Sequence, residues 1–486
     1  MSLEDDLATL SFNTDSAEGR PIYQQLASHL RQLIKSARLS PQERLPSSRK
    51  LALQLGISRT STLNAYDQLV AEGLLITRPA SGVFVSALAD AANTSVAVVS
   101  DPVSGDDQAI QQIASVEAGG IFDGGPDVEQ FPFSEWSRSL AKVWRRPDPA
   151  LLRDRHPGGY WPLRQAVCRF VKAVRGVDCR PQQVIITAGN RDALSLIGQL
   201  LLQQGDTVVL ENPCYPPLRH GLLGQGAKLQ HCDVDAEGMG LPKGSATLAW
   251  MTPARQYPLA MTMTTQRRLD WLDYSRQQQC WLLEDDYDAE FHYRKAPLAT
   301  LFSMASQLYA PEQQRVVFVG SFSKLMFRTL RIGYLILPEV LVEPAIEVQN
   351  RLGTLASVPV QPALADFLGH RRFASHLRRM RRCYQQRRDY LHGLLQEHLG
   401  DYVQTELPDG GMHLLARLKS GGSHVDDRGL EQQLAKQGIY APALSRHYAF
   451  DEQMTSEQGL LLGFSGTPEG DLEHGVKQLQ QRLLHS

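Results

Sequence analysis

Near the start of the chain, apolar residues recur at every third or fourth position, which is the pattern of a helix with one buried face. The spacing predicts a helix over residues 21–37, with Pro21 in the first turn, where proline is tolerated. Ser47 and Ser58 are good N-caps for two further helices, the first ended by Gly56 and the second covering residues 59–72. Two short helices around a glycine-containing turn predict a helix-turn-helix.

A strand-like pattern follows these helices. Residues 74–78 and 83–86 are rich in β-branched and apolar side chains, and a Pro-Ala-Ser-Gly turn separates them. Such a pair predicts a two-stranded wing, in which Gly82 at the tip allows close approach to a groove.

The pattern changes again beyond residue 87. Residues 87–117 contain five acids and no Lys or Arg, and they are dominated by Ala, Ser, Val, Asp and Gln. This composition predicts a flexible linker, the alternative being a poorly patterned edge of a neighbouring domain. From residue 118 to 486, apolar strand-like runs alternate with amphipathic helical stretches, which predicts an α/β domain with a largely parallel sheet. The predicted domains are therefore 1–86, a linker over 87–117, and 118–486.

Composition restricts the class of protein. The chain has 486 residues, 50 Lys and Arg against 52 Asp and Glu, 42% hydrophobic residues and a formal charge of −2. These values describe an ordinary globular protein and exclude a chain that is polybasic throughout. Residues 20–86, however, contain nine Lys or Arg and only three acids, so any DNA-binding surface is local to this segment.

Targeting and cysteine patterns point to the cytoplasm. The first six residues are polar and acidic, unlike a signal peptide, and no run of 18 apolar residues predicts a membrane span. The six cysteines are far apart and form no C-x-x-C motif, so we expect reduced thiols and no metal site. They are Cys168, Cys179, Cys214, Cys232, Cys280 and Cys383.

The amino-terminal segments RPIYQQLASHLRQLI, LPSSRKLALQLGISRTSTLNAYDQLVAEGLL and SGVFV together resemble the GntR-type winged helix. The resemblance implies binding to double-stranded promoter DNA. Its implied contact residues lie in the helix-turn-helix and the wing, with the alternative that the arginines only solvate a helix face; they are Arg44, Arg49, Ser58, Arg59, Thr60 and Gly82.

Lys324 carries the most informative chemistry of the larger domain. It follows an apolar strand-like run that ends in Ser321 and Ser323. A lysine amine in such a buried setting has the depressed pKa that a Schiff base with an aldehyde cofactor requires. Arg331 lies seven residues on, and with the two serines it could hold a phosphate dianion.

Three other strand ends carry matching chemistry. Asp285 ends an apolar run and could pair with a protonated pyridine nitrogen, with Asp286 in reserve and an N-cap or acidic loop as the other interpretation. Asn190 and Arg191 open a predicted helix over 192–202, where backbone N–H groups favour phosphate. Tyr215 follows another strand and could stack on a cofactor ring or belong to the core.

In this order, with Gly-Tyr-Trp-Pro-Leu-Arg at 159–164 and Thr-Pro and Gln-Tyr-Pro between 252 and 258, these segments resemble fold-type I aminotransferases that use pyridoxal 5'-phosphate. The resemblance implies that Lys324 is the Schiff-base lysine, that Asp285 is the pyridinium partner and that Tyr287 contacts the phenol oxygen. Tyr215 would stack on the ring, and the implied phosphate ligands are Asn190, Ser321, Ser323 and Arg331. Arg191, at the same helix start as Asn190, is a further cofactor-binding candidate.

A GntR winged helix joined by a linker to this domain resembles the MocR/GabR regulators. The resemblance implies a head-to-tail, domain-swapped homodimer that binds pyridoxal phosphate and senses either the cofactor or an amino compound. The alternatives are a working aminotransferase with an added DNA-binding domain, which turnover of an amino donor would reveal, and a large domain that only dimerises.

Two departures from the aminotransferase pattern favour a sensor over a catalyst. No arginine occurs in residues 459–462, near where aminotransferases usually bind the substrate carboxylate, and Arg417 and Arg446 are the alternatives in this chain. Asp154 stands where many relatives have a tyrosine, so one phosphate contact is in doubt.

Overall fold

The computed structural model describes residues 21–78, 81–87, 120–153, 156–293, 298–353, 356–419, 426–449 and 457–484. The chain divides into two compact units, residues 1–109 and 110–486. The predicted linker from residue 88 onwards, Pro79, Ala80 and Asp154 lie outside the described residues, so the domain boundaries stay a prediction.

The smaller unit is a three-helix bundle with a β-hairpin. Its helices are α1 (Ile22–Lys35), α2 (Ser48–Leu55) and α3 (Arg59–Ala71). As the sequence predicted, Ser47 and Ser58 cap α2 and α3 by accepting hydrogen bonds from the backbone N–H groups of Lys50 and Ser61. Helix α1 is three residues shorter than the predicted 21–37 and α3 is one residue shorter than 59–72, because helix ends fray, whereas α2 lies between Ser47 and Gly56 as predicted.

The hairpin forms the wing. Strands β1 (Leu75–Arg78) and β2 (Gly82–Val85) pair antiparallel, with Arg78 opposite Gly82. Leu75 and Val85 are buried against the three helices, which ties the wing to their core.

The larger unit contains an eight-stranded mixed sheet. Its strands are β3 (Val184–Thr187), β4 (Thr207–Asn212), β5 (Lys228–Asp235), β6 (Gly238–Met239), β7 (Leu248–Met251), β8 (Trp281–Asp286), β9 (Val316–Ser321) and β10 (Gly333–Ile336). Their order across the sheet is β3-β10-β9-β8-β7-β4-β5-β6, where β4, β5, β7, β8 and β9 are parallel and β10 is antiparallel to both neighbours.

Both faces of this sheet are buried. Val184 and Ile186 of β3 belong to one hydrophobic cluster and Ile185 belongs to another, because successive side chains of a strand point to opposite faces. The helices of this part are α4 (Phe133–Arg145), α5 (Pro149–Arg153), α6 (Trp161–Arg175), α7 (Asn190–Leu201), α8 (Pro216–Gly224), α9 (Thr265–Gln278), α10 (Leu301–Leu308), α11 (Glu339–Leu352) and α12 (Gln361–Gly369). The predicted α/β class is confirmed.

The carboxy-terminal part is a smaller α/β layer. The long helix α13 (Arg371–Leu399) leads to an antiparallel sheet of β11 (Val403–Thr405), β12 (His413–Leu418) and β13 (Gly459–Gly463). Helices α14 (Asp427–Ala435) and α15 (Glu469–Leu484) complete this part. In the part of the chain that the structure describes, no helix is long and apolar enough to cross a membrane.

Candidate functional site

Predicted site residues of the larger unit lie at the ends of the parallel strands. Ser321 ends β9, and Asp285 lies one residue before the end of the adjacent strand β8. The carboxyl edge of a parallel sheet is the usual position of ligand sites, because the loops that follow every strand begin there.

Lys324 lies in the loop after β9. Its Nζ donates a hydrogen bond to the carbonyl oxygen of Gly124 at 3.0 Å. Burial, followed by the positive charge of Arg328, lowers the pKa of the Lys324 amine from 10.5 to about 8, although the carboxylates of Asp288 and Asp123 oppose this shift. About a tenth of this amine is therefore neutral, and hence nucleophilic, at pH 7, far more than for a lysine with its ordinary pKa.

The adjacent carboxylates Asp285 and Asp286 have different surroundings. Asp286 Oδ2 accepts from Arg175 Nε at 2.6 Å, and both side chains are only 1% exposed. Asp285 instead accepts two long hydrogen bonds, from Trp250 Nε1 at 3.4 Å and Asn190 Nδ2 at 3.5 Å. Burial raises the pKa of the Asp285 carboxyl to about 7, so a cationic nitrogen beside it would stabilise its ionised form.

A polar cup lies at the start of α7 and consists of Gly189, Ser321 and Arg331. Gly189 precedes the helix with φ of 92°, and a Cβ atom there would lie 3.3 Å from the guanidinium of Arg331. The backbone of Gly333 in β10 pairs with both Thr187 and Ser321, so the ends of β3 and β9 are held close together. The guanidinium, the start of α7 and the serine of β9 are thus neighbours.

Several buried polar atoms of the predicted site lack a hydrogen-bond partner within the part of the chain that the structure describes. Ser323 Oγ, Thr187 Oγ1, Asn190 Oδ1 and the Tyr287 hydroxyl are buried, and none of them has a hydrogen-bond partner among the described residues. Ser323 contributes its backbone N–H to Ser321 Oγ at 3.2 Å, which leaves its own hydroxyl free to turn. Unpaired buried polar groups are costly, and a ligand with phosphate and phenol oxygens would satisfy them.

Three tyrosines stand beside the cup. The ring of Tyr257 meets those of Tyr215 and Tyr287 edge-on, with centroids 5.6 and 5.8 Å apart. Tyr215 remains 48% exposed, which suits a ring that stacks on a ligand better than a core residue. A cavity joins this aromatic group to Asp285; its lining includes Asn190, Arg191, Tyr215, Trp250, Tyr257 and Asp285.

The residues predicted from the sequence thus form two adjoining groups. Asn190, Arg191, Tyr215 and Asp285 line the cavity, whereas Ser321, Ser323, Lys324 and Arg331 do not line it and Tyr287 reaches it through Tyr257. The contact of Arg331 with Gly189, next to Asn190, connects the two groups.

The sequence prediction missed Trp250 and Tyr257 as individual site residues. Trp250 lies in the apolar strand β7, and its indole N–H must find an acceptor, which was the available signal. Tyr257 contacts four aromatic rings, and only the tertiary structure brings these together.

The segment without the usual arginine is apolar in the structure as well. Leu461 of β13 is buried in a cluster with Leu415 and Leu444, against which Tyr257 packs. The two alternatives named from the sequence are both held in ion pairs: Arg417 Nε lies 3.0 Å from Glu457 Oε2, and Arg446 Nε lies 2.5 Å from Glu431 Oε2.

Arg255 is a buried cation that the sequence prediction did not name. Its Nη1 lies 3.4 Å from Asp288 Oδ2, and it donates to the carbonyl oxygens of Gly410 at 3.1 Å and His413 at 3.0 Å. Asp288 also raises the pKa of Lys324, so Arg255 is held close to the predicted cofactor lysine. Its charge is already balanced by Asp288.

The smaller unit presents its predicted DNA contacts at the surface. Arg49 in α2 and both Arg59 and Thr60 at the start of α3 are exposed. The hydroxyl of Ser58 is engaged as the N-cap of α3 and lies 2.8 Å from that of Ser61, so its role in the fold is structural.

The wing brings a further arginine to the same unit's surface. The guanidinium of Arg44 lies against Gly82, where a Cβ atom would approach its Nε to 3.3 Å. Arg78, which was not predicted, covers the ring of Phe84 at 4.7 Å.

The residues of the larger unit fit pyridoxal phosphate. The buried hydroxyls without a partner and the guanidinium suit a phosphate, the carboxylate of Asp285 suits a protonated ring nitrogen, and the amine of Lys324 suits reaction with an aldehyde. In the described parts of the chain, no three His, Cys, Asp or Glu residues come together as metal ligands would.

Two family models match the chain. The model described as "Aminotransferase class I and II" matches residues 154–478, and the model "Bacterial regulatory proteins, gntR family" matches residues 22–85. The first model covers more than half of the chain, and its agreement with the site supports pyridoxal 5'-phosphate as the cofactor, as predicted from the sequence.

Individual relatives extend over nearly the whole chain. The "Probable rhizopine catabolism regulatory protein MocR" of Rhizobium meliloti is 33% identical, over 96% of this chain and 94% of its own length. The "HTH-type pyridoxine biosynthesis transcriptional regulator PdxR" of Corynebacterium glutamicum is 28% identical, over 98% and 99%.

Among solved structures, the α-aminoadipate aminotransferase LysN of Thermus thermophilus shares the fold. It has a TM-score of 0.68 and 23% identity, over 77% of this chain and 94% of its own. The chain therefore belongs to the MocR-type transcriptional regulators, in which a GntR-family DNA-binding domain precedes an aminotransferase class I and II domain.

Proposed function

We propose that this regulator binds pyridoxal phosphate covalently at Lys324 and adjusts its affinity for promoter DNA according to the occupancy of that site. The observation that carries the proposal is the lowered pKa of the Lys324 amine, about 8, in the loop that follows Ser321 and contains Ser323. An exposed lysine would be almost wholly protonated at neutral pH and would react slowly with an aldehyde.

The cofactor, when bound, supplies an aldehyde and a pyridine ring that acts as an electron sink. Asp285 faces the ring nitrogen in this proposal, because Asp286 is already paired with Arg175. Arg331, Asn190, Arg191, Ser321 and Ser323 hold the phosphate, and the ring of Tyr215 stacks on the pyridine. Tyr287 donates its unpaired hydroxyl to the phenol oxygen.

DNA recognition is assigned to the smaller unit. Arg49 and Arg59 contact phosphates and the major groove, Thr60 lies beside them, and Arg44 with Gly82 brings the wing to the neighbouring backbone. Two such units in a domain-swapped, head-to-tail homodimer would read two half-sites. A regulator of this kind works where the promoter DNA is, which places it in the cytoplasm.

The effector is pyridoxal phosphate itself or an amino compound. The apolar cluster of Leu415, Leu444 and Leu461 supports the cofactor or a ligand without an ordinary α-carboxylate, because apolar side chains offer a carboxylate no charge-assisted hydrogen bond. The name of the Corynebacterium relative, a pyridoxine biosynthesis regulator, supports a link to vitamin B6 metabolism.

The test begins with the visible absorption spectrum of the purified protein in the presence of pyridoxal phosphate. We expect a band that Lys324→Ala abolishes and that the control Lys172→Ala, at an exposed lysine of α6, retains. Borohydride reduction and peptide mapping should then leave a pyridoxyl group on the Lys324 peptide. A colourless protein, or a label on another lysine, would contradict the proposal.

DNA binding is tested with duplexes selected from a random pool by the wild-type protein. Arg49→Ala and Arg59→Ala should each weaken binding about tenfold, and Arg138→Ala, at an exposed arginine of α4, should not. Affinity should fall steeply with added salt. Repeating the titration with pyridoxal phosphate and with a panel of amino compounds identifies the effector as the compound that changes the affinity.

A working aminotransferase is the second candidate. The lowered pKa of Lys324 and the carboxylate of Asp285 favour it, since both groups serve catalysis as well as binding. Incubation with amino donors and a 2-oxo acid acceptor separates the two functions. Formation of a new amino acid that requires Lys324 would establish turnover, whereas ligand-dependent DNA binding without product formation would support a sensor.

A further inference from the structure

Two half-buried thiols, Cys168 and Cys179, face each other in the larger unit. Their sulfur atoms are 3.4 Å apart, and both are free thiols. We propose that Cys168 and Cys179 are a redox-responsive pair that forms a reversible intramolecular disulfide when the protein meets a low-molecular-weight disulfide. This site is separate from the cofactor site and does not depend on the function proposed above.

The backbone around the pair is held so that the two sulfurs stay close. Helix α6 carries Cys168 and ends at Arg175, and the next residue, Gly176, caps the helix in a left-handed conformation with φ of 67°. Arg164 of α6 donates to the carbonyl oxygens of Pro181 at 2.9 Å and Gln182 at 2.8 Å. These bonds fix the segment that contains Cys179 against α6, so the sulfurs need to approach by only about 1.4 Å to reach bonding distance.

The electrostatic surroundings give the two thiols different roles. The hydrogen bond from Cys179, with the nearby charges of Arg164 and Arg169, lowers the pKa of Cys168. The same hydrogen bond, together with burial, raises the pKa of Cys179. Cys168 is therefore the thiol that first attacks an oxidant, and Cys179 is the thiol that resolves the product.

The other cysteines are less suited to this reaction. Burial raises the pKa of the thiols of Cys214, Cys232, Cys280 and Cys383. A thiol with a raised pKa has little thiolate, which is the reactive form. Selectivity for Cys168 follows from its neighbours and not from exposure alone.

The reaction is a pair of thiol–disulfide exchanges. The Cys168 thiolate attacks one sulfur of glutathione disulfide, forms a mixed disulfide and releases one glutathione thiolate. Cys179 then loses its proton and attacks the Cys168 sulfur, which releases the second glutathione thiolate. In the balanced reaction, two protein thiols are oxidised to one disulfide and one glutathione disulfide is reduced to two glutathione thiols.

The cysteine pair lies close to residues that hold the strands of the cofactor site in place. Arg175, which lies between the two cysteines in the sequence, makes the buried ion pair with Asp286. Asp286 directly follows Asp285 in β8. Cys179 is among the groups that raise the pKa of Tyr334 in β10, so the sulfur lies near the sheet. A bond at this position would join α6 to the segment that leads into β3 and the cup.

The test treats the full-length protein with glutathione disulfide and reads intact mass and peptide maps. In the wild type we expect loss of both thiols, a linked peptide containing Cys168 and Cys179, and reversal by dithiothreitol. Cys179→Ser should instead accumulate one glutathione on Cys168, because the resolving thiol is absent. Cys383→Ser, at another half-buried cysteine, should react like the wild type.

Two outcomes would overturn the proposal. One is a wild-type protein whose Cys168 and Cys179 both remain reduced at glutathione disulfide concentrations that modify Cys383. The other is a wild-type protein that keeps glutathione on Cys168 without forming the linked peptide, since the two sulfurs would then not reach each other. The wild-type measurement decides both cases without a variant.

Discussion

Replacing Lys324 with methionine should stabilise the cofactor-free protein at neutral pH. The substitution keeps the length of the side chain and removes an amine whose pKa is lowered from 10.5 to about 8 in the folded state. A lysine whose pKa is lower in the folded state than in the unfolded state binds its proton less tightly when folded, so protonation favours the unfolded chain. The destabilisation is complete below about pH 8 and disappears above about pH 10.5.

The size of the effect follows from the shift. At about 1.4 kcal/mol per pH unit, a shift of about 2.5 units is worth about 3 kcal/mol at pH 7. Partial exposure of Lys324 reduces this value, and loss of its hydrogen bond to Gly124 costs about 1 kcal/mol, so a net gain of about 1–2 kcal/mol is expected. At pH 9.5 the shift itself is worth only about 1.4 kcal/mol, so the gain should nearly vanish.

Urea unfolding followed by tryptophan fluorescence measures this gain. All six tryptophans lie between residues 136 and 281, so the signal reports the larger unit. Wild type, Lys324→Met and the control Lys172→Met are compared without cofactor at pH 7 and pH 9.5. Lys172 has a side chain 65% exposed, so its substitution should change the free energy of unfolding by less than about 0.5 kcal/mol.

A Lys324→Met protein that is no more stable than the wild type at pH 7 would refute the reasoning. So would a gain in stability that is the same at both pH values, because the gain would then come from packing and not from the charge. Either result would mean that the amine is solvated in the folded protein, and the observation that carries the proposed function would be lost.

Three further predictions concern other residues. Asp286→Asn should lower the free energy of unfolding of the larger unit by about 3–5 kcal/mol, measured in urea, because it leaves Arg175 buried without its carboxylate. Asp285→Asn should not lower that stability, because a carboxyl whose pKa is raised to about 7 by burial disfavours the folded state at neutral pH, yet it should weaken cofactor binding in absorbance titrations; equal losses of stability in both variants would contradict the different roles of the two carboxylates. Ser58→Ala should reduce the free energy of unfolding of the smaller unit by about 1 kcal/mol, because α3 loses its N-cap; thermal unfolding followed by circular dichroism measures this loss.

Much of the fold could be predicted from local signals. The serine caps of α2 and α3, the glycine after α2 and the wing hairpin are each specified within a few residues, because capping and turn chemistry act over one helical turn. The position of the candidate site could also be predicted, since Asp285 and Ser321 both lie at the carboxyl edge of parallel strands, where side chains distant in sequence meet.

The sequence could not decide between Asp285 and Asp286. Neighbouring residues of a strand point to opposite faces of the sheet, and only the packing of α6 shows which face carries Arg175. The same holds for Arg417 and Arg446, whose pairing with Glu457 and Glu431 depends on how separate segments come together.

By itself, then, the sequence determined the two-domain architecture, the identity of the cofactor and the lysine expected to hold it, because these are written in local periodicity, end-of-strand chemistry and family resemblance. The tertiary structure alone decided which carboxylate is free of an ion pair, which apolar residues stand near the expected arginine position and which two cysteines meet. The physical reason is that charge pairing, desolvation and sulfur contact act through space, over distances that the order of residues does not encode.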